Sequence, residues 1–145
     1  MNRVIEADFL LRVAGILANK SRILIVDNNR DFTDAARLGL ERTGRYLVCE
    51  ENDPTQAHRT AQSFKPDLIL LDIAMPKTDG GEVAAQIQSN PVLHTTPIVF
   101  LTGLVTKAEA RSGLRIQGHS FLAKPISIPD LIKGIEENLP RHALL

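Results

Sequence analysis

The chain has 145 residues, a length that suits one compact domain with its own hydrophobic core. Its 17 Lys and Arg residues balance its 17 Asp and Glu residues, so the chain lacks the basic surplus that is typical of nucleic-acid-binding domains. Cys49 is the single cysteine, which excludes an intramolecular disulfide and favours a cytoplasmic location.

The first predicted element is an amphipathic helix over residues 3–18. Large apolar side chains cover most of its circumference, and Asp8, Arg12, Gly15 and Asn19 form one narrow polar stripe at helical spacing. The apolar run is shorter than the roughly 20 residues that cross a bilayer, so we expect no membrane span. A helix of this kind must be covered by the domain's own surface, by the same helix of a second chain in a homodimer, or by another partner or membrane surface.

From residue 21 onward, short apolar runs alternate with segments of helical period. We predict strands over 22–26, 46–50, 67–72, 97–102 and 119–123, and helices over 30–42, 82–88, 106–117 and 131–139, with a further helix that begins at Asp53-Pro54. Strands that are apolar throughout and alternate with helices predict a doubly wound α/β fold, in which helices cover both faces of a five-stranded parallel sheet. We expect this domain over residues 21–140, between an N-terminal helical extension (1–20) and a tail (141–145).

Polar side chains stand at the ends of four predicted strands. Asp27 and Asn28 follow the first strand, Asp72 ends the third, Thr102 ends the fourth and Lys124 follows the fifth. In open α/β sheets the carboxyl ends of the strands border one crevice, so these side chains are expected to converge. Each has an ordinary structural interpretation by itself, such as a helix cap or a turn, and the signal lies in their combination.

This combination suits transfer of a phosphoryl group to a carboxylate. A carboxylate can attack phosphorus and form an acyl phosphate. Two neighbouring acids would repel each other and the phosphate unless a hard divalent cation such as Mg²⁺ lay among them. The Lys124 ammonium and the Thr102 hydroxyl could then hold the phosphoryl oxygens.

Four segments resemble the motifs of response-regulator receiver domains of two-component signalling. DLILLDIAMPKTDGGEV (67–83) resembles the phosphoacceptor segment, in which Asp-x-x-Met-Pro-x-x-Asp-Gly surrounds the acceptor aspartate. RILIVDN (22–28) resembles the first strand and its acidic turn, PIVFLTG (97–103) the strand that ends in Thr or Ser, and FLAKPI (121–126) the Lys-Pro signature. The similarity covers roughly residues 21–139. It implies a chemotaxis-regulator-like, flavodoxin-like sheet with strand order 2-1-3-4-5.

The resemblance implies that Asp72 is the phosphoacceptor and that it lies beside a site for Mg²⁺ or Mn²⁺. The metal ligands would be Asp27, Asn28, Asp72 and the backbone carbonyl of Ala74. Asn28 departs from the family pattern, which usually has a second acid there. Because an amide oxygen coordinates Mg²⁺ without bringing charge, we predict weaker metal binding and slower phosphoryl transfer than in a receiver with two acids.

The same resemblance assigns roles to Thr102, Phe121 and Lys124. Lys124 would bind the phosphoryl oxygens, and its peptide bond to Pro125 is often cis in relatives. Thr102 would move to the phosphoryl group after phosphorylation, and Phe121 stands at the position of the switch aromatic, which turns inward as the Thr moves.

The leading interpretation is a single-domain response regulator, because only RHALL follows Pro140. It would be a phosphoacceptor that assists its own phosphorylation and dephosphorylation, rather than an enzyme. Its phosphoryl donor would be a histidine kinase or a histidine phosphotransfer protein, and its output a protein–protein contact. The alternative is a pseudo-receiver, in which the same fold is a constitutive interaction module with weak or no phosphorylation; Asn28 favours it, whereas the intact Asp72, Thr102 and Lys124 disfavour it.

Two enzyme classes on related folds fit less well. A flavodoxin needs a hydroxyl- and glycine-rich phosphate loop after its first strand, where this chain has residues 27–30, DNNR. A haloacid-dehalogenase-type phosphatase needs a second Asp two residues after its nucleophile, where this chain has Ala74. The four histidines show no metal-ligand spacing and are expected on the surface or in loops: His58, His94, His119 and His142.

Overall fold

The computed structural model describes residues 9–10 and 19–140. The strands in chain order are β1 (Ser21–Val26), β2 (Tyr46–Glu51), β3 (Leu68–Asp72), β4 (Ala74–Met75), β5 (Thr78–Asp79), β6 (Ile98–Thr102) and β7 (Ser120–Ala123). The helices are α1 (Arg30–Glu41), α2 (Ala57–Phe64), α3 (Gly80–Gln88), α4 (Lys107–Arg111) and α5 (Ile128–Asn138), and a 3-10 turn (Pro54–Gln56) leads into α2.

Five of the strands form a parallel sheet with the order β2-β1-β3-β6-β7. Counted without the short antiparallel hairpin β4–β5, this is the order 2-1-3-4-5. The prediction of a doubly wound, flavodoxin-like sheet is therefore confirmed.

The sheet has a hydrophobic cluster on each face. In β1, Leu24 and Val26 belong to the cluster under α2 and α3, whereas Ile23 and Ile25 belong to the cluster under α1 and α5. Successive side chains of a strand point to opposite faces, and all four of these are 0% exposed. Burial on both faces explains why the strand is a continuous apolar run rather than an alternating one.

The largest difference from the predicted elements is in α4, which was expected over 106–117 and ends at Arg111. Thr106 and Glu109 form a capping box that starts the helix. Gly113 then adopts φ +82°, a left-handed conformation that ends helices. The chain afterwards makes a tight turn, closed by an isolated antiparallel bridge between Ile116 and His119.

The other predicted boundaries agree with the structure to within a few residues. α3 begins at Gly80 rather than 82, because Asp79 Oδ1 accepts a hydrogen bond from the Gly81 N–H at 2.8 Å and caps the helix. α5 begins at Ile128 rather than 131, because the Ser127 side chain caps it in the same way. The hairpin β4–β5 occupies a stretch that was predicted only as a turn.

Of the two expected positions, surface or loop, His119 takes the second: it lies in the turn before β7 and is buried there. Its ring packs edge-on against Phe100, with the ring centroids 5.4 Å apart. Burial lowers the pKa of His119, and the nearby Arg115 lowers it further. His119 is therefore part of the core beneath β6.

Parts of two predictions lie outside the described residues. These are the helix over 3–18, except for Phe9 and Leu10, and the tail 141–145, which includes His142. Within residues 9–10 and 19–140, no helix has both the length and the apolarity that a bilayer crossing requires.

Candidate functional site

Asp27, Asp72 and Lys124 meet at the carboxyl edge of the sheet. Asp27 directly follows β1, Asp72 is the last residue of β3 and Lys124 directly follows β7. Lys124 Nζ forms an ion pair with Asp27 Oδ2 and lies 3.5 Å from Asp72 Oδ2. The fold thus brings three of the predicted side chains together, with two carboxylates facing one ammonium group.

Asp27 is held by hydrogen bonds from the loop after β1 and from the end of β2. Its side chain is 0% exposed, and its Oδ1 accepts from the Asn29 N–H at 2.9 Å. Asn29 in turn caps α1 by accepting from the Phe32 N–H. On the other side, Asn52 Nδ2 donates to the Asp27 carbonyl at 2.8 Å and to Thr33 Oγ1 at 2.9 Å. These bonds fix both the acidic loop and the start of α1.

Asp72 lies in the same crevice and is 7% exposed. Burial raises the pKa of its carboxyl group, and the neighbouring Asp27 carboxylate raises it further. A hydrogen bond from the Ala74 N–H to Oδ1 at 3.0 Å and the Lys124 ammonium oppose this, but the net pKa stays above the ordinary value of 3.8. The hydrogen bond and the ammonium therefore do not fully offset the cost of ionising Asp72 in this crevice.

The chain folds back tightly after Asp72. The Gly80 N–H donates to the Ile73 carbonyl at 3.2 Å, and a Cβ on Gly80 would lie 2.6 Å from the Asp72 carbonyl oxygen and 2.6 Å from Ile73 Cα. Both neighbours are backbone atoms and cannot move aside. Only glycine allows the start of α3 to rest against the end of β3, which explains the Asp79-Gly80 pair of the motif.

Thr102 ends β6, which pairs with β3, and Phe121 lies on β7, which pairs with β6. Thr102 is 1% exposed, and its hydroxyl accepts from the Leu104 N–H at 3.0 Å. Its carbonyl accepts from the Lys124 N–H at 2.9 Å. Phe121 is buried in the cluster under α2 and α3. The Lys124–Pro125 peptide bond is cis, as the resemblance implied.

The donor set of the crevice fits a hard divalent cation. The Asp27 and Asp72 carboxylates, the Asn28 amide and the Ala74 carbonyl all offer oxygen, which Mg²⁺ and Mn²⁺ accept. Asn28 is exposed, so its side chain is free to turn toward a cation. Among residues 9–10 and 19–140, no group of three or more His, Cys, Asp or Glu side chains is arranged for a metal, so any cation here relies on amide, carbonyl and water oxygens as well.

Two residues at the site were missed from the sequence. Phe32 places its ring against Lys124, with Nζ 4.4 Å from the ring centroid, and Asn52 holds the Asp27 carbonyl. Phe32 was predicted only as an apolar position of an amphipathic helix, and no sequence pattern indicated that Asn52 belongs to the site. Both contacts join residues far apart in the chain, so no local pattern could have revealed them.

Replacing Asp72 by Asn is expected to raise the free energy of unfolding at pH 7, in buffer with EDTA. The folded-state pKa of Asp72 is raised, so the folded protein binds the proton more tightly than the unfolded chain. Its ionisation therefore costs stability as pH rises from 3.8 through the folded-state pKa, and that cost stays at higher pH. Urea unfolding at several pH values should show the gain shrinking toward pH 3.8. The exposed Asp34→Asn is the control, and a gain that is equal at all pH values would contradict this explanation.

Comparisons with known proteins show what the chain is similar to. The family model described as the response regulator receiver domain matches residues 23–136. The alkaline phosphatase synthesis transcriptional regulatory protein PhoP of Bacillus subtilis is 34% identical over 123 residues, which are 85% of this chain and 50% of PhoP. The chain thus spans about half the length of this curated relative, and the single-domain organisation stays a prediction.

Solved structures are similar over most of the chain. The chemotaxis protein CheY4 of Vibrio cholerae has a TM-score of 0.72 and 25% identity, covering 83% of this chain and 99% of that one. A response regulator from Desulfuromonas acetoxidans has a TM-score of 0.67 and 23% identity, covering 81% of this chain and 94% of that one, and it supports the fold alone.

Proposed function

The chain belongs to the response regulator receiver family, and on that premise we propose that it accepts a phosphoryl group on Asp72 and signals through protein–protein contacts. The donor would be the phosphohistidine of a histidine kinase or of a histidine phosphotransfer protein, in the cytoplasm. The observation that supports this best is the Lys124 ammonium, which faces both the Asp27 and the Asp72 carboxylates at the ends of three strands.

In the proposed reaction a carboxylate oxygen of Asp72 attacks phosphorus. One P–O bond forms as the P–N bond breaks, and the released imidazole nitrogen keeps the electron pair and takes a proton from water. A bound Mg²⁺ or Mn²⁺ would neutralise charge on the phosphoryl oxygens and the carboxylates. Lys124 would turn from the carboxylates to a phosphoryl oxygen, and the Thr102 hydroxyl would leave the Leu104 N–H to donate to another.

The protein–protein contact that transmits the signal would form on the surface beside β7. A groove of about 750 Å³ lies between α4, β7 and α5, and its lining includes Phe121, Leu122, Ile126 and Lys133. Phe121 lies on β7, three positions before Lys124, which directly follows that strand. A movement of Thr102 and Lys124 toward a phosphoryl group would therefore act directly on the strand that lines the groove.

The alternative function is a constitutive interaction module, which Asn28 favours because this site has one charge fewer than the usual pair of acids and Asp72. In that case the groove beside β7 would bind its partner without phosphorylation. The two functions differ in whether Asp72 accepts phosphate.

Incubation with acetyl phosphate and Mg²⁺ should add one phosphoryl group to the wild-type chain and none to Asp72→Ala. The measurement is intact mass, followed by peptide mapping of the modified residue. Asp53→Ala is the matched control, because Asp53 is an exposed acid that caps the 3-10 turn and should not affect labelling. Absence of any mass increase in the wild type would favour the constitutive module.

Replacing Asn28 by Asp is expected to tighten Mg²⁺ binding by about five- to tenfold, because a second full charge joins the ligands. Isothermal titration calorimetry measures the affinity. Asn29→Asp is the matched control: Asp also caps helices, and it adds the same charge one residue later, so it should have a smaller effect. Equal affinities of Asn28→Asp and wild type would sink the idea that Asn28 weakens the metal site.

A further inference from the structure

The Lys124 ammonium is enclosed on several sides. Asp27 and Asp72 face it with their carboxylates, and the Phe32 ring covers it with its centroid 4.4 Å from Nζ. The Lys124 side chain keeps 21% of its exposure. The ring adds a third surface against the ammonium, beside the two carboxylates.

The position of Phe32 is tied to the acidic loop. Asp27 Oδ1 accepts from the Asn29 N–H at 2.9 Å, and Asn29 Oδ1 accepts from the Phe32 N–H at 3.1 Å. This pair of hydrogen bonds determines where α1 begins, and therefore which residue of its first turn faces the crevice. The chain thus places the aromatic ring relative to the same carboxylate that Lys124 pairs with.

A ring face at this distance attracts a cation, since the attraction acts within about 6 Å and strengthens when water is excluded. A lysine side chain has a flexible four-carbon stem, so its ammonium group moves easily from one position to another. We propose that Phe32 is a positioning residue, which holds the Lys124 ammonium over the crevice and shields it from water. Its role in phosphoryl transfer rests on the proposed function.

A plain packing role is the competing explanation, because Phe32 also packs against the cluster under α1 and α5. Two substitutions separate the explanations. Phe32→Leu keeps an apolar side chain of similar reach and removes the ring face. Phe32→Tyr keeps the ring face and adds a hydroxyl group at its edge. A packing role predicts that Leu is tolerated, whereas a positioning role predicts that Tyr rescues what Leu loses.

The first measurement does not depend on phosphorylation. The full chain is treated with a lysine-acetylating ester, and peptide mass spectrometry gives the modification rate of Lys124 relative to the exposed Lys133. We expect this ratio to rise about three- to tenfold in Phe32→Leu, because the ammonium is uncovered. In Phe32→Tyr it should stay within about twofold of wild type. An unchanged ratio in Phe32→Leu, or an equal rise in both variants, would overturn the inference.

The second measurement is the rate of phosphorylation by acetyl phosphate at saturating Mg²⁺. Phe32→Leu should remain folded, with unchanged Mg²⁺ affinity, but should be phosphorylated several-fold more slowly and need more acetyl phosphate. Phe32→Tyr should match wild type. If the wild type accepts no phosphate, the proposed function is wrong. The acetylation ratio alone then tests whether Phe32 positions the Lys124 ammonium. Should phosphorylation proceed equally in all three proteins, the positioning role is refuted and the proposed function stands.

Discussion

Replacing Lys124 by Met is expected to lower the free energy of unfolding by about 3 kcal/mol in buffer with EDTA. Met keeps the apolar stem and removes the charge. Asp27, whose side chain is 0% exposed, then loses its ion-pair partner and keeps one hydrogen bond from the Asn29 N–H. An unpaired buried charge is costly, and partial exposure of Lys124 places the effect at the low end of the usual range.

Urea unfolding measures this loss of stability. Repeating the measurement with added Mg²⁺ tests whether the loss comes from the missing positive charge. A divalent cation would replace the ammonium as counter-charge, so Mg²⁺ should stabilise Lys124→Met more than wild type. The exposed Lys133→Met should change stability by less than about 0.5 kcal/mol. A Lys124→Met variant with the wild-type urea midpoint would show that Asp27 does not depend on the ammonium.

The Gly80→Ala variant is expected to lose about 3 kcal/mol of stability and most of its phosphorylation. A Cβ at this position would lie 2.6 Å from the Asp72 carbonyl oxygen and from Ile73 Cα. Because both atoms belong to the backbone, relief requires α3 to move away from the end of β3. That movement displaces the residue that we propose as the phosphoacceptor.

Gly103→Ala is the matched control for this substitution. A Cβ on Gly103 would meet nothing within 4 Å, so this variant should stay within about 0.5 kcal/mol of wild type. Urea unfolding and acetyl phosphate labelling are measured on both variants. Wild-type behaviour of Gly80→Ala would mean that the turn after Asp72 adapts to a side chain.

The sheet was predictable because its signals are local. Each strand is a short, continuous apolar run with turn residues beside it, and burial on both faces of the sheet requires that pattern. The end of α4 was not predictable in the same way. Residues 106–117 carry a helical pattern with Gly113 inside it, and glycine within a helix costs only about 1 kcal/mol. Whether the chain continues or turns there depends on the tertiary contacts of Ile116 and His119.

The candidate site was predictable only in part, for a related reason. Asp27, Asp72 and Lys124 stand at strand ends. Parallel strands bring their carboxyl ends to one edge of the sheet, independently of how the helices are oriented. Phe32 stands on a helix, and its contact with Lys124 depends on how far α1 is rotated about its axis. The Asn29 cap determines that rotation, and sequence periodicity does not locate it to within one residue.

The position of β1 between two neighbouring strands has a consequence for synthesis of the chain. β1 pairs with β2 on one side and with β3 on the other, up to Val26 opposite Leu71. A nascent chain that has not yet reached β3 therefore carries an apolar strand with one open edge, which is a site for aggregation or chaperone binding. The segment that ends in Asp72 closes this edge. The strand that carries the proposed phosphoacceptor is thus also the one that first allows the emerging chain to bury β1 on both sides.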